Sequence, residues 1–343
     1  MNQHMLDHVR RQGTCNTEVF NLSPSFAAAW FPGKRWLLVK FLYVMVLFFR
    51  FAFYSFSHPN QSLYFSIAGG LGKWLEIPLL WIAMFCYKDI YIHHHSFSCC
   101  NRPHLSMAVT ANIAPHKTTH IALCDAMKRL LVSRYGLSPD RVIVLSNIAL
   151  CEKCAPSQVR QGLNTVGYFG NISLEKGVGE FLETYRTLVQ WDPGLRALIG
   201  GPCMTSNVAD LIEQAARELP HLKYLGPLYG GEKGRFFAEI DVLLFPSKYA
   251  DEAEPLTIYE AFSSGVPVIA WGRGCIAGMI ERGFGKTVHS ASAFSGEAVA
   301  TIQEWKREEV VYQQGREALS RQFETLVLQE KSVLESFLAE VVS

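Results

Sequence analysis

The chain is short of the features that would carry it out of the cell or through a bilayer. Its first twenty residues are polar and hold no apolar core of the kind a secretory signal needs. The uninterrupted apolar run Phe41 to Phe49 is far shorter than the roughly 20 residues a membrane span requires. Nine cysteines are present, but the count is odd and the spacing irregular, which argues against a disulfide framework and for reduced thiols. The lone C-x-x-C, Cys151 with Cys154, has no second pair to complete a zinc site. No basic–aromatic recognition motif appears, so no nucleic-acid partner is expected. No repeat of solenoid period is visible either.

What is present fits a globular enzyme. The 343 residues are 49% hydrophobic and 18% charged, enough for a large core and too apolar for disorder. That length suggests about two domains. The net charge of +1 hides an asymmetry: residues 1–164 hold 16 Lys/Arg against 7 Asp/Glu, and residues 165–343 hold 16 against 24. A basic first half could meet an anionic membrane or an acidic acceptor.

Residues 34–56 sharpen that point. Lys34, Arg35, Lys40 and Arg50 punctuate an apolar segment, and two readings stand. It is either a helix in the membrane interface, entering through Leu47, Phe48 and Phe51, or a buried helix of the first domain. The expected location is the cytoplasm, in the first case against the inner face of the membrane.

Strands and helices alternate along the rest of the chain. Strands are expected at Ser62–Ile67, Asp89–His93, Ile121–Leu123 and Arg141–Leu145, with helices at Lys73–Cys86 and Asp125–Tyr135. A second series opens with a strand at Thr165–Phe169 and a helix at Val178–Trp191. It continues through strands at Ala197–Ile199 and Leu222–Leu225, with helices at Val208–Leu219 and Glu232–Glu239. Such alternation implies α/β domains with parallel sheets. The expected division is 1–160 and 161–319, with a last helix at 320–343 returning to the first domain.

The most informative stretch is Asp241 to Ala270. Val242 to Phe245 read as a buried strand closed by Pro246 and Ser247. Pro255 suits the start of a helix through Ser264, because its missing N–H would have no intrahelical partner there. Gly265 stops that helix, and Val266 to Ala270 form the next strand. The free N–H groups of Leu256, Thr257 and Ile258, at the positive end of the helix dipole, make a seat for a diphosphate. Glu252 and Glu260 bracket this helix start. Beside an anion site, a carboxylate is suited to hydroxyl donors such as those of ribose or a sugar.

This Glu-x7-Glu arrangement, with Pro-Ser before it and Glu-Ala…Gly-x-Pro-Val after it, resembles the signature of retaining glycosyltransferases of family four. The resemblance implies a GT-B fold: two Rossmann-like doubly wound domains facing a central cleft. It implies transfer of a hexose, with retention, from a nucleotide diphosphate sugar to a glycan or lipid-linked acceptor in surface polysaccharide assembly. Glu260 would hold the ribose, Glu252 the transferred sugar, and the backbone at Leu256 and Thr257 the β-phosphate. Lys176 would grip the diphosphate from the Gly170-Asn171…Lys176-Gly177 loop. Asn171 stands where the family has arginine, so one cation is missing. Gly200, Gly201, Pro227 and Leu228 would border the nucleotide. Lys176 and the helix N-terminus would stabilise the departing diphosphate, and a donor phosphate oxygen would take the acceptor proton. No cofactor and no metal are expected.

His93-His94-His95 follow a strand end. Metal binding through His93 and His95, a purely structural role, and the family's reactive-sugar histidine all remain open; on the last, His94 is the first choice and His93 the second. The first domain departs further from the family. Residues 1–12 read as a helix and Thr17–Leu22 as a strand, with no strand and glycine loop before them. Gly69-Gly70 lies after a later strand, so the first strand of the domain is expected to be missing. Two rival functions fit the same residues: a nucleotide-sugar-binding subunit without catalysis, and a GT-B nucleotide-sugar epimerase.

Overall fold

The structure is a computed structural model that describes residues 5–6, 17–22, 34–151, 161–289 and 293–342. It divides into two compact units, one of residues 1–144 with 334–343, the other of residues 145–333. Most of the expected helix at 1–12, and Cys154, lie outside the described residues.

The first unit holds α1 (Lys34–Ser57), β1 (Ser62–Ile67), α2 (Lys73–Cys86), β2 (Asp89–His94), α3 (Ser98–Asn101), α4 (Leu105–Ala111), β3 (Thr118–Ala122), α5 (Asp125–Tyr135) and β4 (Val142–Val144). Its strands form one parallel sheet in the order β1-β2-β3-β4. Pairing runs in register from Ser62 opposite Asp89 to Ile67 opposite His94. The interior strand β2 is buried at five of its six positions, as an interior parallel strand covered on both faces must be. β3 starts earlier than its apolar residues suggest. Its polar residues Thr118 and His120 are buried but satisfied, Thr118 by the Ile113 carbonyl and His120 by His94.

Three expectations for this unit need correction. Thr17–Leu22 is not a strand. Phe20 instead packs edge-on against Phe51 of α1, and the Tyr43 hydroxyl donates to the Asn21 carbonyl. Among the described residues the loop at Gly69-Gly70 follows the first strand, β1, and not a later one, and the turn Gly70–Gly72 leads directly into α2. Leu47 and Phe51 are not membrane-facing, since both are buried, Phe51 in the core with Ile77 and Leu80. Among the described residues no helix is long and apolar enough to cross a membrane.

The second unit comprises β5 (Thr165–Phe169), α6 (Val178–Trp191), β6 (Arg196–Gly200), α7 (Ser206–Glu218), β7 (Leu222–Tyr224), α8 (Gly231–Glu239), β8 (Val242–Phe245), α9 (Leu256–Ser263), β9 (Val268–Trp271), α10 (Ile276–Glu281), β10 (Gly285–Val288), α11 (Phe294–Arg307) and most of α12 (Glu309–Val342). The sheet is parallel throughout, in the order β10-β9-β8-β5-β6-β7. The chain thus builds outward from β5 in one direction, then returns to build in the other from β8. Ligands of open α/β sheets bind beyond the strand ends at this reversal point.

Helix α6 shows how the core is made. Phe181, Leu182, Tyr185 and Leu188 recur at helical spacing and are fully buried against the sheet. Each such side chain contributes about 1.5–3 kcal/mol by leaving water. The Tyr185 hydroxyl donates to the Leu195 carbonyl, so its polar end is satisfied too. Asp241, just before β8, accepts from the Asn164 and Thr165 amides, and buried Arg316 of α12 donates to it at 3.2 Å. That ion pair anchors the long last helix to the sheet. Beyond Val333 the helix belongs to the first unit, where Phe337 meets Tyr91 edge-on at 5.2 Å.

Candidate functional site

At the β5/β8 reversal point the second unit has a cleft of about 470 Å³. The β5 exit supplies Gly170, Asn171 and Lys176; the β8 side supplies Glu252 and the α9 start, Pro255 to Thr257. Leu228, Tyr229, Gly230 and Lys233 line it from the loop after β7 and the first turn of α8. Elements distant in sequence therefore deliver the residues expected to act together.

Glycines allow this approach. Gly177 has φ +86°, and a Cβ there would sit 2.1 Å from the Pro246 carbonyl oxygen. Only glycine lets the Lys176 loop lie against the exit of β8. Gly201, at φ +122°, passes Gly170 so closely that a Cβ would stand 2.0 Å from the Gly170 carbonyl oxygen. Gly200 and Gly201 thus support the cleft from behind and do not line it, and Pro227 is likewise absent from the lining, whereas Leu228 is part of it.

Two ion pairs dominate the electrostatics. Lys176 Nζ lies 2.6 Å from Glu252 Oε2, which also accepts from Ser247 Oγ at 2.8 Å. The same ammonium sits 4.5 Å from the centre of the Tyr249 ring. Lys233 pairs with Glu260, one turn into α9, and stands 5.2 Å from the Phe169 ring. Glu260 Oε2 is buried with no hydrogen-bond partner. A buried carboxylate oxygen without a donor is costly, and it is the kind of atom that a hydroxyl-bearing ligand satisfies.

Lys233 is the residue that sequence reasoning missed. Asn171 leaves the β5 exit one cation short, and Lys233 brings a cation to the same cleft from α8. A signal was available: a lysine in the first turn of a helix opposes the helix dipole and needs a reason to be there.

Residues 152–322 match the family model of glycosyl transferases, group 1. No curated protein matches the chain in sequence. Among solved structures, Anabaena Alr3699/HepE in complex with UDP superposes with a TM-score of 0.64 at 18% identity, over 86% of this chain and 82% of its own. The pneumococcal O-GlcNAc transferase GtfA, in complex with UDP and GlcNAc, gives 0.66 at 14% identity, over 86% and 60%. A glycosyltransferase from Rickettsia africae gives 0.65 at 12% identity, over 98% and 88%. At such identities the likeness shows the fold, which is the GT-B glycosyltransferase architecture of two parallel-sheet α/β domains.

Within the segment that matches this family model a third carboxylate holds the site loop. Glu254 is buried. It accepts from Ser146 Oγ at 2.7 Å, the Asn147 amide at 2.7 Å and the Tyr259 hydroxyl at 2.6 Å. Burial pushes its pKa up, against the pull of Tyr259, Asn147, Ser146 and Arg282. The loop carrying Glu252 is thereby clamped onto Ser146-Asn147 and onto α9.

The histidines lie in the first unit, at the C-terminal end of β2. His93 bonds Tyr64 and His94 bonds His120, the latter pair at 3.0 Å, and all four rings are largely buried. His95 is different: it is only partly buried, and neither of its ring nitrogens has a partner. Its ring lies 4.0 Å from that of His93, as alternation along a strand predicts. Burial, above all, lowers the His95 pKa to about 4, so it is neutral near pH 7 and can both donate and accept. His95 thus has hydrogen-bonding capacity to spare, whereas His94 is committed to His120. Among the described residues no three His, Cys, Asp or Glu side chains are placed to hold a metal.

Proposed function

We propose that this chain transfers a sugar, with retention, from a nucleoside diphosphate sugar to a glycan or lipid-linked acceptor. The observation that carries the reading is the cleft itself. Two lysine–carboxylate pairs and one helix N-terminus line or border a single pocket at the sheet's reversal point. A diphosphate needs the cations and the N-terminal amides; ribose and sugar hydroxyls need the carboxylates. The solved structures of HepE with UDP and with UDP-glucose support a uridine nucleotide as the first donor to test.

In this reading the Leu256 and Thr257 amides hold the β-phosphate, and Lys176 and Lys233 neutralise it. Drawing Lys176 toward the phosphate frees Glu252 for the sugar, and drawing Lys233 frees Glu260 for the ribose. As the glycosidic bond breaks, the departing diphosphate gains charge while the sugar becomes oxocarbenium-like. Lys176 acts mainly at that stage, where fixed charge in a poorly hydrated site is worth most. A donor phosphate oxygen takes the acceptor proton, so no side-chain base is assigned. The two lysines and the helix dipole supply the positive charge, and the reading needs no metal.

The test is to incubate purified protein with a panel of UDP- and GDP-sugars and candidate acceptors, with and without EDTA. Transfer or slow donor hydrolysis that persists in EDTA is expected. Isomerised donor alone would indicate an epimerase, and binding with no turnover would indicate a donor-binding subunit.

A further inference from the structure

Two helices of the first unit turn apolar faces to solvent. On α1, Phe41, Val46, Phe49, Phe53 and Phe56 are exposed, Phe53 at 77%. On α2 the outward positions are Trp74, Leu75, Trp81 and Phe85, with Phe85 at 74%. Neither helix dangles. Phe51 of α1 shares a core with Ile77 and Leu80 of α2, and Ser55 Oγ lies 3.1 Å from the Tyr87 hydroxyl. Trp81 extends the face further, lining a shallow apolar groove with Leu105, Val109 and Ile113. A helix that buries one side normally carries polar residues on the other, and an apolar surface of this extent marks an interaction site.

Charge identifies the partner. Between Glu18 and Asp89 lie six basic residues and a single acidic one, Glu76. Lys73 and Glu76 are both buried, whereas Arg50 is exposed among the apolar residues of α1. Among the described side chains between Glu18 and Asp89, the exposed charges are therefore the cations Arg50 and Lys88, with no exposed carboxylate. A second copy of the same surface would bring like charges together, whereas an anionic lipid surface complements them. The side chains are those that settle at headgroup level, tryptophan and phenylalanine with basic neighbours. No helix among the described residues is long and apolar enough to cross a bilayer, so a membrane contact through α1 and α2 would be one in the interface plane.

We propose that the α1–α2 face docks the first unit onto an anionic lipid bilayer. This inference does not depend on the sugar-transfer reading. It replaces the side chains named from sequence, buried Leu47 and Phe51 and half-buried Phe48, with Phe49, Phe53, Trp81 and Phe85. The test is co-sedimentation of the full chain with phosphatidylcholine vesicles, with or without phosphatidylglycerol. The wild type should bind the phosphatidylglycerol vesicles more tightly, and more weakly as salt rises. Its tryptophan emission should shift to the blue on binding. The combined variant Phe49→Ser, Phe53→Ser, Trp81→Ser, Phe85→Ser should lose binding by about tenfold or more at an unchanged melting temperature. Phe51→Ser should instead lower the melting temperature. Wild-type protein that ignores phosphatidylglycerol vesicles and shows no emission shift would overturn the proposal. So would a folded variant that binds like wild type, or a dimer that the same substitutions disperse.

Discussion

Helices α2 and α6 occupy matching places in the two units. Each has 14 residues and follows the first described strand of its unit and a glycine-bearing loop. Their inward faces are alike: Ile77, Leu80 and Ala83 in one, Phe181, Tyr185 and Leu188 in the other. Their outward faces are opposites. On α6 the exposed positions include Glu183, Arg186 and Gln190, as expected of a helix that faces only water. On α2 they are Trp74, Leu75, Trp81 and Phe85. Since α6 closes its core with one exposed apolar residue, Trp191 at its last position, the broad apolar outward face of α2 is not required by the fold. The buried carboxylates differ in the same way. Glu254 accepts from three donors, whereas Glu76 accepts from the Ala68 amide at 2.9 Å, with Lys73 as its favourable charge. The second unit has its polar groups organised around a cleft; the first leaves an acid poorly solvated and an apolar surface exposed.

The sharpest way to break this comparison is Lys176→Ala. If the second unit is where charge develops, kcat at saturating donor should fall by about 10²–10³, which is roughly 3–4 kcal/mol. A change confined to the apparent donor affinity would reduce Lys176 to a ground-state contact.

Next in size is Glu76→Gln. Burial raises the Glu76 pKa from 4.5 to about 7, so the folded unit favours the neutral acid. That contribution to stability is complete below pH 4.5 and is lost as the pH rises through about 7, to a total of about 3 kcal/mol. Glutamine keeps an acceptor for the Ala68 amide and never ionises. The variant should therefore melt higher than wild type at pH 8 and the same at pH 4, with donor binding unchanged at either. A lower melting point at pH 8 would mean that Lys73 and Glu76 form a stabilising pair.

Glu254→Ala tests the better-satisfied acid. It leaves Ser146 Oγ, the Asn147 amide and the Tyr259 hydroxyl to find other partners, and orphaned buried groups cost about 1–3 kcal/mol each. Partial relaxation, and removal of an acid that burial disfavours, offset some of this, so a net loss of roughly 2–3 kcal/mol is expected in chemical denaturation. Donor affinity should fall with it, because the clamped loop carries Glu252. Stability lost with affinity intact would show that the loop holds its place without the clamp.

The second unit was largely legible in the sequence, and the reasons are physical. Its strands are short apolar runs closed by glycine or proline, and β5, α6 and β8 fall where the pattern places them. Glu252, Lys176 and the α9 start could be brought together because an α/β crossover fixes which ends meet. Lys233 left a local signal, a cation in the first turn of a helix, but its partner Glu260 lies on another helix, which no local pattern records. Glu254 looked like one more acid in a polar loop, and its donors at Ser146 and Asn147 are over a hundred residues away. In the first unit, composition misled. Thr17–Leu22 has strand-like residues but no strand to pair with, and β3 begins with polar residues whose partners lie on β2 and beside Ile113. The 34–56 segment showed that it was apolar but not which side was buried, because its apolar residues go all the way round the helix and periodicity cannot orient it.

The smallest effect is expected of Glu260→Gln, and it bears on what distinguishes the cleft from an ordinary polar surface. Glu260 Oε1 is held by Lys233, while Oε2 is buried without a donor. In the proposed reading a ribose hydroxyl supplies that donor, in a charge-assisted bond. Glutamine preserves the shape and one acceptor, but it loses the charge and turns the second position into a donor. Hydrogen bonds to charged groups contribute about 1.5–3 kcal/mol, so UDP affinity in calorimetry should fall by about 2 kcal/mol. Uracil-free ribose diphosphate should lose as much as UDP, because the contact is to the sugar. Pyrophosphate should lose nothing from this contact, and any gain or loss would report only the altered charge near Lys233. Equal weakening of all three would assign Glu260 to the general electrostatics of the cleft and not to ribose recognition, and unchanged UDP affinity would remove it from the site altogether.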